Sequence, residues 1–480
     1  MLRMNDITAK AETHPERLRE VFARQREASR RDAMPDAARR ESDLDALHDA
    51  ILGHAEAIAN AISADFGGRS GHETRLLEIF PSLEAIRHAR ARVRTWMRPA
   101  RRKVSLWFQP GRAKVVWQPL GAVGIVVPWN YPVYLSVGPL VSALAAGNRV
   151  MIKMSEFTPA TGELLARLIS ERFDEERVAV FNGEADVARA FVALPFDHLL
   201  FTGSTQTGRS VMVSAAANLT PVTLELGGKS PAIVGEDFPL RIAAERILFG
   251  KLLNAGQTCI APDYVLLPAG REAEFIEHAR AFVGRSYPTL AHNPDYTAIV
   301  NERHYRRLLD LAADARARGA TGIEINSARE SLDAAGRKIA PAIFTGTSGE
   351  MRVMQEEIFG PLLPLVGYRN LDEAIAYVNA RPRPLALYYF DRNAARIERV
   401  LRETVSGGVT INDTVLHIAQ DDLPFGGAGE SGMGQYHGRT GFAAFSKEKA
   451  VFFQSRLNAL PLFRPPYGKR FERLMRLLLR

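Results

Sequence analysis

Cysteine occurs once among the 480 residues, at position 259, in the segment NAGQTCIAP. Its small neighbours leave room for a substrate to approach the backbone. A lone cysteine is as a rule an inert buried thiol, so the residue by itself argues for no chemistry. A nucleophilic thiol needs a lowered pKa, a stabiliser for the oxyanion it creates, and a means of resolving the covalent adduct.

Two other segments can supply those parts. Asn130, in VPWNYP, follows an apolar run that reads as a strand, and ligands of open α/β sheets gather at such strand ends. Its side-chain amide can donate to an oxyanion alongside the backbone N–H of Cys259. It can equally satisfy a turn bounded by prolines. Glu225, in TLELGGKSP, closes another strand before paired glycines. Its carboxylate can serve as a general base for water, or stand as an exposed acid at a strand end. The glycines, Gly227 first, let the chain pass close to a flat cofactor ring.

The nucleotide signals are weaker. No GxGxxG is present, but FTGSTQTG brackets a helix start with Gly203 and Gly208, and amides at a helix N-terminus suit a pyrophosphate. A short turn would look the same. Lys153 and Glu156, in IKMSE, can hold the adenosine ribose hydroxyls, and a carboxylate there favours NAD over NADP. The alternative is a solvated pair of charges. His417, in INDTVLHIAQDD, fits the substrate mouth or a hydrogen-bonded structural histidine. Trp107, Phe108, Tyr131 and Tyr134 can line an aromatic substrate's path, or can be core or interface residues, the latter favoured for Trp107 and Phe108. No cluster has metal-ligand spacing, so no metal is expected.

Elements must bring these residues together. The first ninety or so residues read as mostly helical, with poor apolar spacing at the very start and a helical period through Leu44, Leu47, Ile51 and Ala55. From Lys114 to Leu226, short apolar runs (121–127, 149–153, 178–181, 198–203, 221–226) alternate with amphipathic stretches such as 159–173 and 207–218. That alternation predicts a doubly wound parallel sheet that binds a nucleotide. A second alternation, from PAIVG and YVLLP to DEAIAYVNA, predicts a second α/β domain. The expected division is 1–227, N-terminal helices and nucleotide binding; 228–407, the cysteine domain; and 408–480, a closing and oligomerisation segment with a basic tail.

Composition sets outer limits. Hydrophobic residues at 46% and charged residues at 24% describe a soluble globular chain of two or three domains. A single cysteine forms no internal disulfide and suits a reducing, cytoplasmic setting, and the charged N-terminal stretch is unlike a signal peptide. Residues 121–147 carry no charge and could span a bilayer by length, but Pro128, Pro132 and Pro139 favour strand, loop and buried helix. The net charge of +8 comes largely from two patches. Arg87–Lys103 reads as the solvated face of a helix with Ile86, Val93 and Met97 inward, in preference to a nucleic-acid surface. The tail pairs Arg470, Arg473 and Arg476 with Phe471, Leu474, Met475 and Leu478, a pattern for a membrane-surface helix or a helix docking on a partner subunit.

Taken together, VPWNYP, KMSE, FTGSTQTG, LELGGKSP, NAGQTC, EEIFGPLLP and PFGGAGESGMG resemble the aldehyde dehydrogenase superfamily, in its order and spacing. The resemblance implies that Cys259 is the nucleophile, Asn130 the oxyanion donor and Glu225 the base for deacylation. It further implies NAD, or NADP, held by Trp129, Lys153, Glu156, Ser204, Glu357 and Phe359, with Glu357 on the nicotinamide ribose and Phe359 beside the ring. The run GMGQYHGRTGFAAFSKEKAV looks like the class 3-like branch, whose members are commonly dimers. Within it, AISADFGGRSGHETRLLEIFP and NARPRPLALYYF look like bacterial coniferyl aldehyde dehydrogenases. RPPYG near the end resembles long-chain fatty aldehyde dehydrogenases, which keeps a lipid-derived aldehyde in play. One departure is Met154, where the family usually has a proline that stiffens the ribose loop. Rival readings are a CoA-acylating enzyme, which needs no base such as Glu225, and a non-catalytic member of the fold.

Overall fold

Residues 14–479 are described by a computed structural model of the chain, so the poorly periodic first residues fall outside the described range. The predicted N-terminal helices are His14–Arg31, Ala37–Gly53, Ala55–Phe66 and Phe80–Trp96. Asp36 caps the second by accepting from Arg39 N, and Gly67, at φ 69°, ends the third in the left-handed region. Leu44, Leu47 and Ile51 face inward on one stripe. Of the basic run Arg87–Lys103, Arg87, Arg90, Arg92 and Arg94 lie on the outer face of Phe80–Trp96. Arg98 follows that helix, and Arg101 and Arg102 lie in the strand Ala100–Arg102, with Lys103 just after it. Ile86 and Val93 are buried beneath the helical part of the run, and Arg90 and Arg94 pair with Asp45 and Glu41.

The first sheet has six strands, in the order Gly432–Met433, Val222–Glu225, His198–Thr202, Ala122–Val126, Arg149–Lys153, Val178–Phe181. All are parallel except the short first one. Chain order runs outward in both directions from Ala122–Val126, so a switch point lies between it and His198–Thr202. Strands buried on both faces read as unbroken apolar runs, which is why the sequence marks them so closely. The uncharged stretch 121–147 forms the strand Ala122–Val126, a loop, and the wholly buried helix Tyr134–Ala146. Pro139 sits inside that helix instead of breaking it, because dense packing outweighs the propensity cost of about 3 kcal/mol.

A second sheet of seven strands runs Thr321–Glu324, Ala342–Thr345, Leu362–Tyr368, Tyr264–Pro268, Pro231–Val234, Ala386–Phe390, Gly408–Ile411, antiparallel only at Thr321–Glu324. The segment after residue 407 therefore adds a strand to each large sheet: Gly408–Ile411 here, and Gly432–Met433 beside Val222–Glu225. A third sheet was not foreseen. Ala100–Arg102, Arg112–Pro119 and Ser446–Phe453 form an antiparallel ribbon whose residues are mostly exposed or half-buried. Trp107 and Phe108 stand at its end, 52% and 49% exposed, which rules out a core role in this chain. No described helix is long and apolar enough to cross a membrane.

Candidate active site

The carboxyl ends of the first sheet converge, and the predicted residues sit on them. Trp129 and Asn130 follow Ala122–Val126, Lys153 ends Arg149–Lys153, Gly203 and Ser204 follow His198–Thr202, and Glu225 ends Val222–Glu225. Gly203 N donates to Glu225 O at 3.0 Å, tying two of these ends together. Ser204 caps the helix Thr205–Ala216 by accepting from Thr207 N at 3.2 Å, and Gly208 packs against Leu226. The helix begins two residues earlier than its apolar spacing indicates, because the cap sits in the glycine turn. Its first amides face the strand ends, where an anion is favoured.

Cys259 enters from the second sheet's side. Asn254 and Ala255 take left-handed φ values of 53° and 52°, and Gly256 follows at 79°. A Cβ on Gly256 would overlap Gly360 O, so the tight turn requires glycine. Gln257 locks the turn: its Nε2 donates to Asn254 O and Ala298 O, and its Oε1 accepts from Val300 N. Asn130 joins the same turn through Nδ2, which donates to Gln257 O at 3.2 Å. An amide nitrogen carries two protons, so one N–H remains for an oxyanion. Tyr131 and Thr258 share a hydroxyl hydrogen bond of 2.6 Å next to Cys259.

Burial dominates the electrostatics. Glu225 is 2% exposed, and neither carboxylate oxygen has a hydrogen-bond partner among the described residues. The exposed-acid alternative therefore fails. Desolvation pushes its pKa well above the ordinary carboxylate value. Burial, with Glu357 and then Glu225 close by, pushes the half-buried Cys259 thiol up to about 12. Burial and then Asp263 push Glu357 up to about 8. A site holding three such protonated acids is poised to accept a proton only when one of them ionises.

The residues expected to hold a cofactor lie in two places. Lys153 is 1% exposed, donating to Met154 O and Gly183 O, so it is no solvated charge; Glu156 beside it is half-buried. Met154 N donates to Phe181 O at 2.9 Å, a bond that proline could not make. The loss of the family's proline thus gains a sheet-edge hydrogen bond. Glu357 and Phe359 lie on a loop held by Arg307, which donates to Glu357 O and Ile358 O, and by Asp263, which accepts from Ile358 N. A Cβ at Gly227 would overlap Glu357 Oε2, so that glycine is obligatory for the carboxylate's position. Phe359, at φ 55°, packs edge-on to Trp129 at 5.3 Å. Glu357 Oε1 is buried with no hydrogen-bond partner among the described residues.

Several residues here escaped sequence reasoning. Arg69, Glu73 and Glu78 are buried charges behind the Asn130 loop; a charged residue in a helical stretch reads as surface, and only the preceding glycine pair hinted at a turn inward. Tyr436 is fully buried with a free hydroxyl, close enough to Glu225 and Cys259 to feel their charges. His417 bonds Thr410 through Nδ1 and stacks on Phe425, leaving Nε2 without a partner; burial lowers its pKa to about 4, so it is neutral. No group of three or more His, Cys, Asp or Glu among the described residues could hold a metal.

Comparisons with known proteins agree with this geometry. A family profile described as "Aldehyde dehydrogenase family" matches residues 5–451. A Pseudomonas aeruginosa protein named "Probable coniferyl aldehyde dehydrogenase" is 56% identical over 95% of each chain. A "Coniferyl aldehyde dehydrogenase" from a Pseudomonas species is 48% identical over 92% of each. Among solved structures, Staphylococcus aureus AldH in a substrate-bound state has a TM-score of 0.90 at 37% identity, covering 96% of this chain and 99% of that one. Betaine aldehyde dehydrogenase from S. aureus in complex with NAD+ has a TM-score of 0.83 at 25% identity, over 94% and 90%.

Proposed function

The chain belongs to the aldehyde dehydrogenase family, and from that premise we propose that it oxidises an aromatic, coniferyl aldehyde-like substrate to the carboxylic acid through a thioester on Cys259. One observation carries the mechanism: Cys259, the free N–H of Asn130 and the partnerless carboxylate of Glu225 meet at one set of strand ends. The substrate class is carried by the named relatives at 48–56% identity.

The chemistry follows from the residues. The Cys259 thiol gives up its proton to solvent, and the thiolate sulfur adds to the aldehyde carbon. The carbonyl oxygen becomes an oxyanion that the Asn130 amide and the Cys259 N–H stabilise. NAD(P), when bound, would supply the hydride acceptor, and the acyl group would remain on the Cys259 sulfur as a thioester. Glu225, in its unprotonated form, takes a proton from water, whose oxygen attacks the thioester; the acid forms, the Cys259 sulfur leaves as thiolate, and Glu225 gives its proton to solvent. Lys153 and Glu156 would hold the adenosine ribose, the acid favouring NAD, and Glu357 would hold the nicotinamide ribose. Residues 1–227 then serve the cofactor, 228–407 carry the cysteine, and 408–480 close the site.

The assembly follows from an open edge. Ser446–Phe453 is an eight-residue edge strand with Phe452 and Phe453 exposed, a template for pairing that supports a homodimer. The helix Lys469–Leu478 buries no residue and sets four basic side chains against Glu472, which supports contact with an anionic membrane surface by a cytoplasmic enzyme. The test is NADH formation with coniferyl aldehyde, benzaldehyde, hexanal and a long-chain aldehyde, repeated with NADP and with Cys259→Ser. Preference for coniferyl aldehyde, lost in Cys259→Ser, is expected. Preference for the long-chain aldehyde would move the substrate to lipid. No turnover with either cofactor would overturn the reading.

A further inference from the structure

A buried ion pair lies behind the loop that carries Asn130. Gly67 and Gly68, at φ 69° and 127°, turn the chain inward after Ala55–Phe66, and the Arg69 side chain that follows is wholly buried. Its Nη1 donates to Glu78 Oε1 at 2.7 Å and to Asn130 O at 3.0 Å. The guanidinium carbon also sits 4.8 Å from the Tyr131 ring centroid, within cation–π range. Glu78 completes the grip: its Oε2 accepts from Val133 N at 2.7 Å and Tyr134 N at 3.1 Å. Residues 130, 131, 133 and 134 are thus all held by one Arg–Glu pair.

The same stretch reaches the cysteine turn. Glu73 accepts from Asn254 N at 3.1 and 3.2 Å and from Thr297 Oγ1 at 2.8 Å. Asn254 Nδ2 donates to Asn130 O at 3.1 Å, so the Asn130 carbonyl receives two donors, one from each side. Taking both charges of a pair out of water costs several kcal/mol per ion, and an apolar pair would fill the space as well. Stability alone therefore gives this pair little reason to exist.

We propose that Arg69, clamped by Glu78, is a positioning residue for the oxyanion step: it fixes the Asn130 backbone so that the one free amide N–H points where the aldehyde oxygen becomes charged. The role rests on the proposed function of Asn130. Arg69 touches neither substrate nor cofactor and acts only through Asn130. A displacement of about 1 Å in a positioned group costs on the order of 100-fold in rate.

A double-mutant cycle tests this. Arg69→Met, Asn130→Ala and the pair are compared in single turnover, following NADH absorbance on mixing with aldehyde, with NAD affinity from fluorescence and Cys259 alkylation by iodoacetamide as controls. Arg69→Met is expected to slow NADH formation about 10- to 100-fold, leave NAD affinity and alkylation unchanged, and cost nothing further in Asn130→Ala. Arg69→Lys should recover part of the rate by restoring the charge without the fork. Should Arg69→Met not fold, Glu78→Gln takes its place in the cycle, keeping one of the two acceptor oxygens while removing the charge. The same loss in both backgrounds, or a loss of NAD affinity, would overturn the positioning role alone. An Asn130→Ala enzyme at full rate would overturn the oxyanion reading and this role with it.

Discussion

At the scale of single residues, the site is a set of acids kept protonated by burial. Glu225 lies well above the ordinary carboxylate range, Glu357 near 8 and Cys259 near 12. A general base acts only in its unprotonated form, so turnover should rise as pH climbs through the range above the ordinary carboxylate value. A profile that falls over that range would contradict the assignment. Stability runs the other way. An acid raised in the folded state favours folding while protonated, and that contribution fades as pH climbs from the unfolded value to the folded one. Glu357→Gln cannot ionise, so its melting temperature relative to the parent should increase between pH 5 and pH 8. A difference that stays constant with pH would show that Glu357 titrates normally. Cys259, Asn130 and Glu225, the proposed nucleophile, donor and base, stood out in the sequence because Asn130 follows and Glu225 closes an apolar run and Cys259 lies among small residues. Arg69 and Glu78 did not, since nothing in their own types distinguishes a buried charge from a solvated one.

At the scale of elements, the strands of the first sheet were legible nearly residue by residue. Arg149–Lys153 and Val178–Phe181 match their apolar runs because both faces are covered by helices. The outer ribbon was not, because Arg112–Pro119 and Ser446–Phe453 mix charges with aromatics and bury almost nothing. The turns that aim the site depend on individual backbone positions. Gly227→Ala would drive its methyl into the Glu357 carboxylate, so NAD affinity should fall roughly tenfold while iodoacetamide still alkylates Cys259 at the parent rate. Unchanged NAD affinity would separate Glu357 from the cofactor. Met154→Pro would restore the family's usual residue yet remove the Met154 N–H bond to Phe181 O. A loss of about 1 kcal/mol in denaturant stability is expected, and a gain would show that the stiffer loop matters more.

At the scale of the whole molecule, the two large sheets face each other through their loops, and the segment after residue 407 laces them by giving a strand to each. That lacing was not legible in the sequence, where residues 408–480 read as a closing and oligomerisation segment with a basic tail. The basic excess has two origins of different kind. The patch on Phe80–Trp96 is partly neutralised by Asp45 and Glu41, whereas the tail helix, its apolar side half-buried and touched by Tyr467, carries four basic residues to one acid, Glu472. Removing residues 455–480 should abolish co-sedimentation with phosphatidylglycerol vesicles and leave turnover of benzaldehyde intact. Vesicle binding that survives the deletion would assign it elsewhere.

The thioester on Cys259 is the centre of the account, and the single cysteine makes it directly observable. Glu225→Gln should form the adduct but not hydrolyse it, so mixing this variant with NAD and coniferyl aldehyde, quenching in acid and weighing the protein tests both roles together. The expected result is one equivalent of NADH per chain and a mass increase equal to the acyl group, located on the Cys259 peptide. NADH produced without an adduct, or an unmodified Cys259 in a variant that turns over freely, would contradict the mechanism.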